Sequence, residues 1–290
     1  MSERIRFGPS GNSKSFYDEG HKHSHEMPEW IRNMGLDCYE YSCGKGTNIR
    51  TETAAKIGEA ARQAGIAVSV HAPYYINFCS EDADKRDASR KYIHNTLAVA
   101  HPMGATRVVF HPGSVGKLRR GEALAMAIEG IQTLLAEVDD GPYRDITLCP
   151  ETMGRLSQLG DLEEILALCR LDERLIPTID FGHLNARGQG SIRGKDDYAA
   201  ILDAIACALG QERMRRIHIH FSRIAYSKAG ERVHLTLEDQ EYGPFFEPLA
   251  ELLVERDMIP TVLCESRDRM AEDALELKKM YMKAAEALRG

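Results

Sequence analysis

Short apolar runs alternate along the chain with longer segments in which apolar residues return every three or four positions. The short runs are IRFGPS from Ile5, LDCYEYSC from Leu36, AVSVHAPYY from Ala67 and RVVFHPGS from Arg107. They continue as ITLCPETM from Ile146, LIPTIDFGH from Leu175, RIHIHFS from Arg216 and IPTVLCES from Ile259. Each reads as a strand, and their starts lie about 29 to 43 residues apart, room for one strand, one helix and two loops. The longer segments carry the helical period: TAAKIGEAARQAG from Thr53, EALAMAIEGIQTLLAEV from Glu122, DLEEILALC from Asp161 and DYAAILDAIACALG from Asp197. Asp161 and Asp197 are expected to cap helix starts, and Gly65, Gly104 and Gly210 stand where helices should stop. A last helix is expected from Met270 to Arg289.

Eight strand–helix units are what an α/β fold of the (β/α)8 (TIM) barrel type requires, here as a single domain over residues 1–290. No linker or low-complexity tract divides the chain. A doubly wound open sheet is the alternative, but GPSGNS after the first strand is a poor match to a glycine-rich phosphate turn. Hydrophobic residues at 43% and charged residues at 28% supply a core and exclude global disorder. No stretch approaches the roughly 20 apolar residues of a membrane span, and MSERIRFGPSG has no apolar leader core. The cysteines, an odd 7 without a CxxC pair, read as reduced thiols, so a cytoplasmic protein is expected, as a monomer. The net charge of −7 argues against coating nucleic acid over the whole surface, while allowing a local basic rim.

Chemistry enters at the strand ends. The third run ends in His71, the fourth in His111, the fifth in Glu151, the sixth in Asp180 and His183, the seventh in His218 and His220, the eighth in Glu265. In a barrel these positions converge on the C-terminal mouth, where active sites are built. Carboxylates at the ends of apolar strands are costly to bury unpaired, and shared cations resolve that cost. His with Asp/Glu is the donor set of zinc or a related divalent metal, and there are more donors than one four-coordinate ion can use. Two or three ions are therefore expected, zinc first, with manganese or iron as alternatives. His218 and His220 alternate and point the same way, and His220 is nearer the mouth.

The segments HAPYYINF at 71–78, FHPGS at 110–114, PETMG at 150–154, IDFGH at 179–183 and HFS at 220–222 resemble the endonuclease IV family of apurinic/apyrimidinic endonucleases. The resemblance implies a trinuclear zinc site in a xylose-isomerase-like TIM barrel. It assigns His71 and His111 to one ion, makes Glu151 a bridge, gives Asp180, His220 and Glu265 to the second ion, and His183 and His234 to the third. The family's aspartate two residues before the last histidine falls on Arg232 in GERVHL, and Glu231 is expected to substitute for it. The implied activity is hydrolysis of DNA on the 5′ side of abasic sites by a metal-activated water, with Glu151 or Glu265 as the catalytic carboxylate. Tyr74, Asn77, Arg232 and Arg267 are the expected DNA contacts.

Two other readings compete. A sugar isomerase or epimerase would keep the barrel and one or two ions, and the net charge favours it. A noncatalytic binding barrel would have lost the third ion. His21, His23 and His25 in GHKHSHEM are expected to be a solvated loop, and Cys79, Cys149 and Cys264 small core residues.

Overall fold

The structure, a computed structural model, describes residues 4–139 and 141–288. Seven of the expected runs form β1 (Arg6–Pro9), β2 (Cys38–Ser42), β3 (Ala67–His71), β4 (Arg107–Phe110), β5 (Thr147–Pro150), β6 (Thr178–Asp180) and β7 (His218–Phe221). Two strands that the hydrophobic pattern does not announce follow, β8 (Arg223–Ser227) and β9 (Gly230–Leu235), and the eighth run forms β10 (Thr261–Cys264). Parallel ladders run in the orders β1–β10–β7–β6 and β2–β3–β4–β5. Parallel bridges Ser10–Glu40 and Glu151–Thr178 join the two halves into a closed cylinder of eight strands. The fold is the expected (β/α)8 barrel, and β8 with β9 forms an antiparallel hairpin at its mouth.

Alternation along the strands sorts side chains into two compartments. On β4, Val108 and Phe110 join the main core between cylinder and helices, whereas Val109 belongs to a small separate cluster with Cys149 and Ile176. Those residues occupy the cylinder's interior. Polar side chains share that interior: Glu40, Ser69, Thr178 and His218 are all buried. One step nearer the mouth, the register pairs Ser42 with His71 and Asp180 with His220. β1 presses so closely on β2 that a Cβ at Gly8 would lie 1.7 Å from the Cys38 carbonyl oxygen, so only glycine fits there.

Asp161 caps helix Leu162–Cys169 as expected, accepting the Glu164 backbone N–H at 2.9 Å. Asp197 does not cap its helix. The helix starts two residues earlier, at Lys195, because extended Gly194 takes the capping position and Asp197 reaches back from the first turn to accept the N–H of Gly194. Gly65 and Gly210 end their helices with positive φ. Gly104, also at positive φ, lies in the turn after helix Ala83–Ala100 rather than at its cap. The last helix is Met270–Ala287, and Arg289 lies outside the described residues. No described helix is long and apolar enough to cross a membrane.

Candidate metal centre

Glu151, fully buried at the end of β5, is the hub of the mouth. Its Oε2 lies 3.1 Å from Nε2 of both His71 and His111. Its Oε1 lies 3.2 Å from His220 Nδ1 and 3.4 Å from His183 Nδ1. The two oxygens thus face two different pairs of imidazoles, the disposition of a bridging carboxylate. Backbone carbonyls fix two of the rings. His71 Nδ1–H donates to Ala72 O at 2.8 Å and His183 Nδ1–H to Thr152 O at 2.9 Å. A carbonyl only accepts, so each ring keeps its Nδ1 proton, and the nitrogen that a cation could take is Nε2. His183 Nε2 faces Glu231 Oε2 at 3.4 Å.

His183 stands on the first turn of helix Phe181–Arg187, where Asp180 is the cap and accepts the His183 N–H at 2.7 Å. Glu231 and His234 come from the hairpin. Along β9, Val233 pairs with Ala225 but Glu231 pairs with Tyr226, which leaves Arg232 as one extra residue, a β-bulge. Residues three apart on a regular strand face opposite ways; the bulge resets the alternation and turns Glu231 and His234 to the same side. Glu231 N–H donates to Gly154 O at 3.1 Å, docking the hairpin on the loop after β5. Gly154 makes room: a Cβ there would lie 2.6 Å from Glu231 Cβ and 2.9 Å from a His183 ring carbon.

Four groups of donors, each with its ligand atoms within 4.8 Å, result: His71, His111 and Glu151; Glu151, Asp180, His220 and Glu265; His183, Glu231 and His234; and Glu40, His218 and His220. The first three open into one cavity of about 570 Å³, whose further lining includes Tyr74, Met153, Arg155, Gln158, Arg267 and Met270.

The charges in this cluster hold one another. Burial alone would push Glu151 up, but the imidazoles of His220, His111 and His183 keep it well below the carboxylate range. Burial alone would pull His71 down, yet Glu151, with Glu40 and Glu265 behind it, raises it to about 9. The same contest lifts His183, through Asp180 and Glu151, and His220, through Glu265, Glu40 and Glu151, well above the ordinary imidazole value. Burial dominates at Asp180, which is raised, and at His111, which is lowered. Asp180 Oδ2 is buried with no hydrogen-bond partner among the described residues. Imidazoles driven to hold protons against carboxylates, beside an orphaned carboxylate oxygen, are what divalent cations would satisfy, so the donors fit such ions.

A model of the xylose isomerase-like TIM barrel family matches residues 28–289. The chain belongs to the xylose isomerase-like TIM barrel family. Its relatives include the uncharacterized protein MJ0133 of Methanocaldococcus jannaschii, 32% identical over 275 residues, covering 95% of this chain and 96% of that one. A probable endonuclease 4 of Mycoplasma pneumoniae is 27% identical over 207 residues, 69% of this chain and 68% of that one. Among solved structures, a D-tagatose 3-epimerase-like protein superposes with TM-score 0.69 at 21% identity, over 90% of this chain and 94% of the other. Endonuclease IV from Thermus thermophilus superposes with TM-score 0.67 at 21% identity, over 98% of this chain and 99% of the other. At that identity these structures establish the fold that this xylose isomerase-like barrel shares.

Within this family member, the four expected DNA contacts divide. Tyr74 is 60% exposed and its ring lies 6.0 Å from that of His71 and 5.8 Å from that of His111, over the site. Arg267 lines the cavity rim. Asn77 is instead a loop tie: its Oδ1 accepts the N–H of Cys79 and of Ser114, each at 3.1 Å, so its acceptor is spent on holding two mouth loops together. Arg232 is exposed at the bulge and absent from the cavity lining, because the residue that resets the alternation points away from its neighbours' face. His21 pairs with Glu26 at 2.7 Å and stacks on Phe16, and none of the His21, His23 and His25 tract joins a donor group among the described residues. Cys79, Cys149 and Cys264 are buried, and burial raises each thiol to about 12, as suits core residues.

Glu40 was not among the strand-end candidates. It sits inside β2, two residues before Ser42, at the level of His218 rather than at the mouth. The available signal was a lone acid in the alternating run CYEYS, facing the same compartment as the IHIH histidines.

Proposed function

We propose that this protein is a divalent-metal-dependent phosphodiester hydrolase that cuts DNA on the 5′ side of abasic sites. The observation carrying this reading is the third donor group, His183, Glu231 and His234, brought beside the other two by the bulged hairpin. An isomerase or epimerase acting on a free sugar, with one or two ions, would be served by the first two groups. A hydrolase that must stabilise attacking and leaving oxygens together has use for adjoining cations.

His71, His111 and Glu151 would hold one ion, Glu151, Asp180, His220 and Glu265 a second, and His183, Glu231 and His234 a third. Bound there, zinc, manganese or iron would supply Lewis acidity toward a phosphate and an attacking water. The protein's own groups do the rest. Glu265, 18% exposed and steadied by the Ser10 hydroxyl at 3.1 Å, is placed to take the proton the water loses. Arg155 and Arg267 on the cavity wall offer guanidiniums to flanking phosphates, the local basic rim that an overall charge of −7 permits. Exposed Tyr74 offers a flat ring beside the site on which an extruded abasic nucleotide's neighbour can stack.

The test is incubation of the zinc- or manganese-loaded protein with a duplex containing one abasic site. A nick on its 5′ side leaving a 3′-hydroxyl, with binding that weakens as salt rises, is expected. The epimerase reading draws on the central four-residue group and its paired carboxylates; turnover of a free ketose with none of abasic DNA would establish it and refute the hydrolase.

A further inference from the structure

The polar interior of the barrel joins the metal centre to the barrel floor through a continuous line of side chains. At the floor, the Arg107 guanidinium lies 3.3 Å from His218 Nδ1 while also donating to the carbonyls of Arg216 and Ile217. An arginine only donates, so His218 carries its lone pair on Nδ1 and its proton on Nε2. That Nε2–H meets Glu40 Oε2 at 3.1 Å. The other oxygen, Oε1, lies 2.9 Å from His220 Nε2, a charge pairing whose angle is too oblique for a hydrogen bond, and Nε2 has no other partner among the described residues. Hydroxyls stand against the carboxylate: Ser69 Oγ donates to Oε2 at 2.8 Å, and Ser10 Oγ lies 3.0 Å from Oε1 and 3.1 Å from Glu265 Oε1, with one proton shared between the two acids. The far side of His220, Nδ1, faces Glu151 and Glu265 at 3.2 and 3.3 Å. Glu40, His218 and His220 are all fully buried, so no solvent can substitute for any link.

We propose that Glu40 is a positioning residue that fixes His220 as an Nδ1 donor to the central cation, its own orientation set from below by His218 and Arg107. The proposal deepens the metal-centre reading and rests on it. A carboxylate oxygen 2.9 Å from Nε2 repels a lone pair on that nitrogen and holds the proton there, which leaves the lone pair on Nδ1, where the carboxylates of the central group converge. A carboxylate behind a ligating imidazole also raises its basicity, and loss of such a partner typically costs about 10–100-fold in metal affinity. In this arrangement the Glu40, His218 and His220 group holds no further ion, because the Arg107 guanidinium occupies His218 Nδ1 and His218 Nε2 keeps its proton.

Glu40→Gln discriminates, because the amide keeps the shape but not the symmetry. Arg107 pins His218 with its proton toward position 40, so the amide oxygen must face His218 and the NH2 must face His220 Nε2. His220 then accepts at Nε2 and carries its proton on Nδ1, the nitrogen the cation needs. Zinc titrations against a chelating indicator should show one zinc bound about 10–100-fold more weakly in Glu40→Gln, with the remaining zinc sites retained. Histidine 15N spectra read the tautomer directly. In zinc-loaded wild type, His220 should be metal-bound through Nδ1 and His218 protonated at Nε2, and Glu40→Gln should move the His220 proton to Nδ1. The wild-type spectrum decides the matter even if the variant does not fold. Zinc on Nε2 of His220, a metal-bound His218, or unchanged affinity in a folded Glu40→Gln protein would each overturn the proposal while leaving the metal centre standing. Wild-type protein that binds no zinc would overturn both.

Discussion

The bulge at Arg232 makes a sharp claim about which acid can serve the site. Glu231 and His234 face the cavity together only because one extra residue interrupts the β8–β9 ladder. Deleting Arg232 turns GERVHL into an acid two residues before the histidine on an unbulged strand, where the two again share a face. Moving the acid instead, as Glu231→Ala with Arg232→Asp, puts a carboxylate on the bulge residue, which is exposed and outside the cavity. Structural zinc sites bind with about 10–16 kcal/mol over four ligands, so one ligand is worth about 3 kcal/mol. That is about 100-fold in affinity at 1.4 kcal/mol per decade. A strand advances about 3.4 Å per residue, far beyond the about 0.2 Å tolerance of a ligand distance, so the relocated acid recovers nothing. Zinc competition titrations should therefore show the most weakly held ion lost about 100-fold in Glu231→Ala, equally lost in the double variant, and retained in the Arg232 deletion. Recovery of binding by the double variant, or a deletion as damaging as Glu231→Ala, would refute the role assigned to the bulge.

Two further outcomes follow from the electrostatics. His71 is raised to about 9 against an ordinary 6.5, the balance of burial against the stronger pull of Glu151. Its proton stabilises the fold fully below 6.5 and is lost as pH climbs through about 9, so chelator-stripped protein should melt progressively lower across that window. Zinc-loaded protein, in which the ligating imidazole holds no competing proton, should not, and a parallel fall in both would count against the cluster as a metal site. At the other limb, burial would raise Glu164, but Arg120 and the N–H groups of Gly160 and Asp161 hold it below its usual 4.5. Its stabilisation is present above the ordinary carboxylate range and is lost as pH falls through the lowered value. Glu164→Ala should cost about 2 kcal/mol at neutral pH and less in acid, measured by urea unfolding at both. An equal cost at both would show that the ion pair and the cap contribute nothing.

Local rules were enough to read the barrel from the chain. Eight β-rich runs, each followed by a helical period, leave few other ways to bury so much apolar surface, and the eight strands of the cylinder fall inside the expected runs. The strand-end histidines and acids were legible for the same reason, since parallel strands of one barrel must end at one mouth. His71, His111, Glu151, Asp180, His220 and Glu265 are drawn together there by topology alone. The hairpin was not legible. SRIAYSKAGERVHL is polar enough to read as a loop, and its pairing exists because Gly154 and Gly230 let it lie against the loop after β5. Whether Glu231 faces the cavity depends on one unpaired residue, a matter of cross-strand register that no local pattern encodes. Asn77 looked like a contact residue and is a loop tie for a similar reason: its partner, the Ser114 N–H, comes from another unit of the barrel. Glu40 shows the limit most clearly. In sequence it is one acid among aromatic neighbours. Only closure of the cylinder places it beside His218 and His220, on a strand about 180 residues away, where full burial forces its charge to be answered by theirs. The chain's periodicity determined which residues reach the mouth; the tertiary structure decided how those residues are oriented, because orientation is set by contacts between strands rather than along them.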